Sequence, residues 1–166
     1  MSRLDSFLRR LQAQRDCLNV AVAMIAKVPG PIFELGLGNG RTYDHLREAC
    51  PRREIFVFER QVSAHPDCIP DAAHLLKGDV GKSLAAAQQR FAGTVALAHA
   101  DLGSGNPPRD AETAAMISAR LPAVMAPGGV IISDQELTLP QAEILPLPPG
   151  VQAGRYFMYL WPKTAD

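Results

Sequence analysis

The chain has 166 residues, 47% of them hydrophobic, with 17 basic and 17 acidic side chains. That length and apolar content suit one domain, residues 1–166, with a real core. The zero formal charge excludes the broad basic excess of a general nucleic-acid binder. No run approaches the ~20 apolar residues of a membrane span, and the opening MSRLDSFLRRL lacks a signal-peptide pattern. A cytoplasmic protein is expected. Cys17, Cys50 and Cys68 are widely spaced and form no CxxC pair, so they read as buried or idle thiols, not a disulfide framework or a zinc site.

Residues 3–27 carry Leu4, Leu8, Leu11, Leu18, Val22 and Ile25 at helical spacing, with arginines and glutamines between them. This predicts an amphipathic helix, ended by Pro29-Gly30-Pro31. Such a helix ordinarily buries its apolar stripe on its own domain; a lid or a dimer surface is the alternative. The chain then alternates: strand 32–37, helix 41–49, strand 54–59 (EIFVFE), a weak strand 73–77, helix 80–91, strand 94–100, helix 110–125 stopped by Pro127-Gly128-Gly129, and strand 130–133. Strand–helix alternation predicts a parallel sheet with helices on both faces. Residues 137–153 are rich in proline; 142–146 reads as a short strand and 155–161 (RYFMYLW) as a strong one. Two late strands without a full helix between them predict an antiparallel pair at one edge, with Tyr156, Phe157, Tyr159 and Trp161 as edge-strand core and in part an interface.

The stretch ELGLGNG, 34–40, lies where a doubly wound sheet binds ligands, at the C-terminal end of the first strand and the start of a helix. Gly36 and Gly38 permit close backbone approach to a ligand, and Gly40 allows tight contact as the helix begins. A dinucleotide fingerprint, G-x-G-x-x-G, would place glycine at 41, where Arg41 stands. Glu34, two residues before the first glycine, would repel a pyrophosphate and suits a ligand bearing an ammonium and a sulfonium.

ELGLGNG resembles the first motif, E/D-x-G-x-G-x-G, of class I S-adenosylmethionine-dependent methyltransferases, over roughly 32–161, and GLGNGRTYDHL resembles a group of short bacterial methyltransferases. The resemblance implies a Rossmann-like α/β fold, a mostly parallel seven-stranded sheet with an antiparallel edge strand, and S-adenosylmethionine as cofactor. It implies that Gly36, Leu37, Gly38, Asn39, Gly40, Thr42 and Tyr43 surround the methionine part, with Glu34 meeting the amino group. Glu59, ending the second strand, would accept from both ribose hydroxyls, since a carboxylate offers two acceptor oxygens; it would fit a dinucleotide equally. Arg60 would stack beside ribose or adenine, and Gly78, Asp79 and Val80 would meet the adenine. Asp79 is also a good helix N-cap, and both roles can hold together.

The resemblance implies that Asp101, ending the fourth strand, faces the methionine end and the acceptor, and His99, two residues earlier on the same face, is the candidate base. Asn106-Pro107-Pro108 is similar to the N-P-P-Y motif of amino methyltransferases, but it stands five residues after Asp101 and Arg109 replaces the aromatic; it reads as a loop before a helix starting at Asp110. Asp101, Asp134 and Gln135 resemble in placement the magnesium triplet of catechol-type enzymes, with glutamine for asparagine; no metal is expected. The expected reaction is in-line methyl transfer to a small molecule, by a protein that can form a homo-oligomer. A dinucleotide-type oxidoreductase domain or a non-catalytic cofactor-binding module are the alternatives.

Overall fold

The computed structural model describes residues 2–163; Met1 and residues 164–166 lie outside it. Helix α1 spans Arg3–Met24 and continues as a 3-10 turn, Ile25–Lys27. Its start is fixed by a capping box in which Ser2 and Asp5 satisfy each other's backbone amides. Then follow β1 (Ile32–Leu35), α2 (Arg41–Ala49), β2 (Ile55–Glu59), β3 (Leu75–Lys77), α3 (Val80–Phe91), β4 (Val95–Ala100), α4 (Pro107–Arg120), β5 (Met125–Ser133), β6 (Glu143–Ile144) and β7 (Phe157–Leu160).

The seven strands lie in the order β3-β2-β1-β4-β5-β7-β6. β1 to β5 are parallel, and β7 runs antiparallel to both neighbours. The aromatic strand is therefore not the edge: β6 covers it, and Tyr156 and Tyr159 are buried. The Tyr159 hydroxyl accepts the Leu137 amide at 2.8 Å.

Strand alternation sorts the core into two layers. Phe33, Leu35, Phe56, Phe58, Ala98 and Ile131 face Leu84, Phe91 and Ile117 of α3 and α4. The rings of Phe33, Phe56, Phe58 and Phe91 meet tilted or edge-on, as aromatic quadrupoles prefer. On the other face, Ile32, Val57, Leu97, Val130 and Ile132 pack against Cys17, Leu18, Ala21 and Ile25 of the first helical segment and Leu46 of α2. α1 thus buries its C-terminal half on its own domain, while Leu4 and Leu8 on its first turns remain exposed.

Two expectations shift. Pro127-Gly128-Gly129 does not separate a helix from a strand but lies inside β5, where the pairing with β4 changes register between Val95 and Leu97. A side chain at Gly129 would press on the Ala126 and Val95 carbonyls at 2.9 and 3.0 Å, so glycine permits this irregularity. The fourth helix starts at Pro107, not Asp110: Asn106 caps it by accepting the Arg109 amide, and proline fits the first turn, where an amide is not needed.

Candidate active site

The glycine turn follows β1 and opens α2, at the C-terminal ends of the parallel strands. Gly36, Gly38 and Gly40 all have positive φ, but for different reasons. A Cβ on Gly36 would lie 2.7 Å from the Asp101 carbonyl, and one on Gly40 would run into Cys68, so these two glycines let the turn pack on protein. A Cβ on Gly38 would meet nothing within 4 Å. Of the three, Gly38 is the one with open space where a side chain would stand.

Glu59, at the end of β2, fixes the turn: one carboxylate oxygen accepts the Leu37 and Gly38 amides at 2.9 and 3.3 Å, and the other accepts Gln61 at 2.9 Å. Three of roughly four acceptor positions are used, leaving capacity toward a ligand hydroxyl.

Two clefts flank this turn. The first, about 270 Å³, lies between it and the first turns of α1, with Phe7, Arg10, Leu11 and Gln14 on one wall and Asp101 and Gly103 on the floor. Leu37, Asn39, Arg41 and Thr42 also border it. The second, about 340 Å³, runs from Glu59 and Arg60 past Asp79 and Val80 to Leu102, Arg109 and Met116. Asp79 caps α3, its carboxylate accepting the Lys82 amide at 3.0 Å, and also borders this cleft. Gly78 supports the turn before α3 with φ 141 and donates to the Glu59 carbonyl.

Glu34 and His99 occupy adjacent register positions on β1 and β4, on the face toward α1 and α2. Both are fully buried, with Glu34 Oε2 2.8 Å from His99 Nδ1. The other Glu34 oxygen accepts the Thr42 hydroxyl of α2. His99 Nε2 lies 3.4 Å from the Tyr156 hydroxyl, with the two rings stacked. Burial alone would push the imidazole toward its neutral form, but the Glu34 charge and hydrogen bond outweigh it and raise the His99 pKa. Burial likewise raises the Tyr156 phenol, so it stays protonated.

These contacts alter three sequence expectations. His99 has both ring nitrogens facing protein partners and no exposed surface, so it does not reach an acceptor as a base. Glu34 has both oxygens engaged beneath the turn, and supports the cleft from below without facing a ligand amino group. Tyr43 packs with the α1-side core beneath the Arg47 guanidinium and borders neither cleft.

Asp101 does reach the first cleft. Its oxygens accept from Arg10 Nη2 and Gln14 Nε2, each at 2.6 Å. Sequence reasoning missed these two partners, although Phe7, Arg10, Leu11 and Gln14 recur at i, i+3, i+4 and i+7 and so share one helix face. Asp134 is used to tether the 102–103 loop: it accepts the Leu102 and Gly103 amides at 3.3 and 2.9 Å. Burial, and then the neighbouring Asp101 charge, raise its pKa. Asp134, which with Asp101 and Gln135 resembles a magnesium triplet in placement, is engaged as a loop anchor, and among the described residues no group of three or more His, Cys, Asp or Glu side chains is arranged as a metal ion would need. Asp110 closes the next stretch, accepting the Ser104 amide and hydroxyl at 2.7 Å and the Gly105 amide at 3.1 Å. Those hydrogen bonds, the Ser104 amide first, hold its carboxyl below the usual range. No helix among the described residues is long and apolar enough to cross a membrane.

Comparison with known proteins gives a consistent result. A family model described as S-adenosyl-L-methionine methyltransferase matches residues 1–161. The crystal structure of an S-adenosyl-L-methionine methyl transferase from Silicibacter pomeroyi DSS-3 is 46% identical, with a TM-score of 0.92, covering 96% of this chain and 98% of that one. Two more distant structures share the fold: a 16S rRNA (adenine(1408)-N(1))-methyltransferase W203A mutant with cosubstrate SAM from Catenulisporales acidiphilia, and a release factor-specific protein-(glutamine-N5) methyltransferase from Alicyclobacillus acidocaldarius. The first is 12% identical with a TM-score of 0.51, covering 89% of this chain and 92% of that one. The second is 12% identical with a TM-score of 0.53, covering 93% of each chain. Among curated proteins, none matches. The paired clefts around an open glycine turn therefore sit in a protein that belongs to the S-adenosyl-L-methionine methyltransferase family and uses that cofactor.

Proposed function

We propose that this methyltransferase acts on a small molecule, and that the acceptor enters the first cleft beneath α1. The observation that carries this reading is the position of α1 itself: Arg10 and Gln14 reach down from it to Asp101 and leave a confined space beside the glycine turn. A structured macromolecule would have to displace that helix to reach the same space.

When bound, the cofactor supplies an electrophilic methyl group on a sulfonium, open to in-line displacement. The chain's share is orientation and exclusion of water. The open side of Gly38 admits the ligand, the remaining acceptor position of Glu59 receives a ribose hydroxyl, and Asp79, Val80 and Met116 border the adenine. Arg60 and Arg109 flank that second cleft. Asp101 stands where the cofactor's amino-acid end meets the acceptor. A cytoplasmic setting fits the free thiols of Cys17, Cys50 and Cys68; burial pushes the Cys17 thiol up to about 11, which makes it inert. The exposed Leu4 and Leu8 give the covering helix an apolar patch suited to a second copy of the chain.

The test is label transfer. Wild-type protein is incubated with methyl-radioactive cofactor and either a metabolite extract, total RNA or a protein extract. Label in the low-molecular-weight fraction is expected; label transferred to RNA or polypeptide overturns the small-molecule reading.

A further inference from the structure

The geometry points to Arg10 and Asp101 together as the reader of the cofactor's amino-acid tail, the guanidinium meeting its carboxylate and the Asp101 carboxylate its ammonium. This rests on the cofactor reading above and places half of the tail site on α1.

Charge inventory is the first argument. Of the residues bordering the first cleft, Asp101 is the one acid, and Arg10 and Arg41 are the two cations. Glu34, the acid nearest in sequence to the glycine turn, is fully buried and bonded to His99 and Thr42, so it offers no face to a ligand. A ligand ammonium in this cleft therefore has Asp101 as its carboxylate.

Spacing is the second argument. The ammonium and carboxylate of an α-amino acid sit on one carbon, so the acid and the cation that read them must border the same small space. Arg10 Nη2 and Asp101 Oδ1 are 2.6 Å apart, at the wall and floor of the same cleft. Arg41 borders the same cleft with its guanidinium over the Phe7 ring at 5.7 Å, and is not paired with Asp101. The Arg10 side chain is 44% exposed, so it can turn from Asp101 to an arriving anion without leaving a core position. Gln14 holds the second Asp101 oxygen at 2.6 Å and keeps the carboxylate aimed while Arg10 moves.

Two ligands separate this from a purely structural role for α1. S-adenosylhomocysteine carries the tail; methylthioadenosine has the same adenosine and thioether without it. Both are titrated by calorimetry into wild type, Arg10→Met, Arg10→Lys, Asp101→Asn and Arg41→Met, with melting temperatures recorded. Arg10→Met and Asp101→Asn are expected to weaken S-adenosylhomocysteine by about 10–150-fold, the range for a hydrogen bond to a charged group, and to leave methylthioadenosine within about twofold. Arg10→Lys should recover part of the loss. Equal weakening of both ligands by Arg10→Met, or no change in either, overturns the inference, as does a tail-selective loss that appears in Arg41→Met and not in Arg10→Met. Wild-type protein that binds neither nucleoside overturns the cofactor assignment as well.

Discussion

Replacing His99 with leucine removes the positive partner of Glu34 and leaves a carboxylate with no exposed surface, held by Thr42 alone. Breaking a buried pair from one side costs about 3–5 kcal/mol, because the remaining charge stays desolvated. That is a large part of the roughly 5–15 kcal/mol that keeps a domain folded. With a urea slope of about 2 kcal/mol/M, the unfolding midpoint should fall by about 1.5–2.5 M. Pairing the change with Glu34→Gln should recover at least half of the loss, since a neutral amide can still accept from the Thr42 hydroxyl. The pH dependence has a defined sign. His99 has a raised pKa in the folded state, so its stabilisation is complete below the ordinary histidine value of about 6.5 and is lost as pH rises through the folded value. This alkaline decline should vanish in His99→Leu. A single variant within about 1 kcal/mol of wild type, with the decline intact, would refute the buried ion pair.

Glu59→Ala should weaken S-adenosylhomocysteine binding by about 1.5–3 kcal/mol, since the carboxylate both orders the Leu37 and Gly38 amides and faces the second cleft; calorimetry with wild-type affinity would rule out its ribose role. Gly38→Val should abolish binding while the protein remains folded, because its side chain would enter open cleft space at a backbone cost of about 1–2 kcal/mol. Gly40→Ala, by contrast, should lower the melting temperature, because its methyl group meets Cys68. Thermal melts of both variants check the contrast, and equal destabilisation would remove the distinction drawn between the two glycines.

The parts of this fold carried by local patterns were legible in the chain. α2 and α3 begin and end where apolar spacing and caps place them, and the acids at the ends of β2 and β4 reach the clefts. What escaped depends on distant partners. The pairing of Arg10 with Asp101 joins residues 91 positions apart, and on α1 alone Arg10 and Gln14 read as a solvated face. Glu34 and His99 could be placed on one face of their strands, but their mutual engagement follows from β1 and β4 being neighbours in matching register. That juxtaposition turns two residues expected to meet ligand or acceptor into support for the turn. The extension of β5 through a proline and two glycines likewise depends on β4 tolerating a shift in register.

The sheet's two borders have a consequence for assembly. On one side the last strand is β3, three residues long, and on the other it is β6, two residues long and set among prolines. Neither offers a stretch of free amides and carbonyls long enough to template added chain. Continuous β-sheet growth from copy to copy is disfavoured at both margins, because each edge has only two or three strand residues to pair.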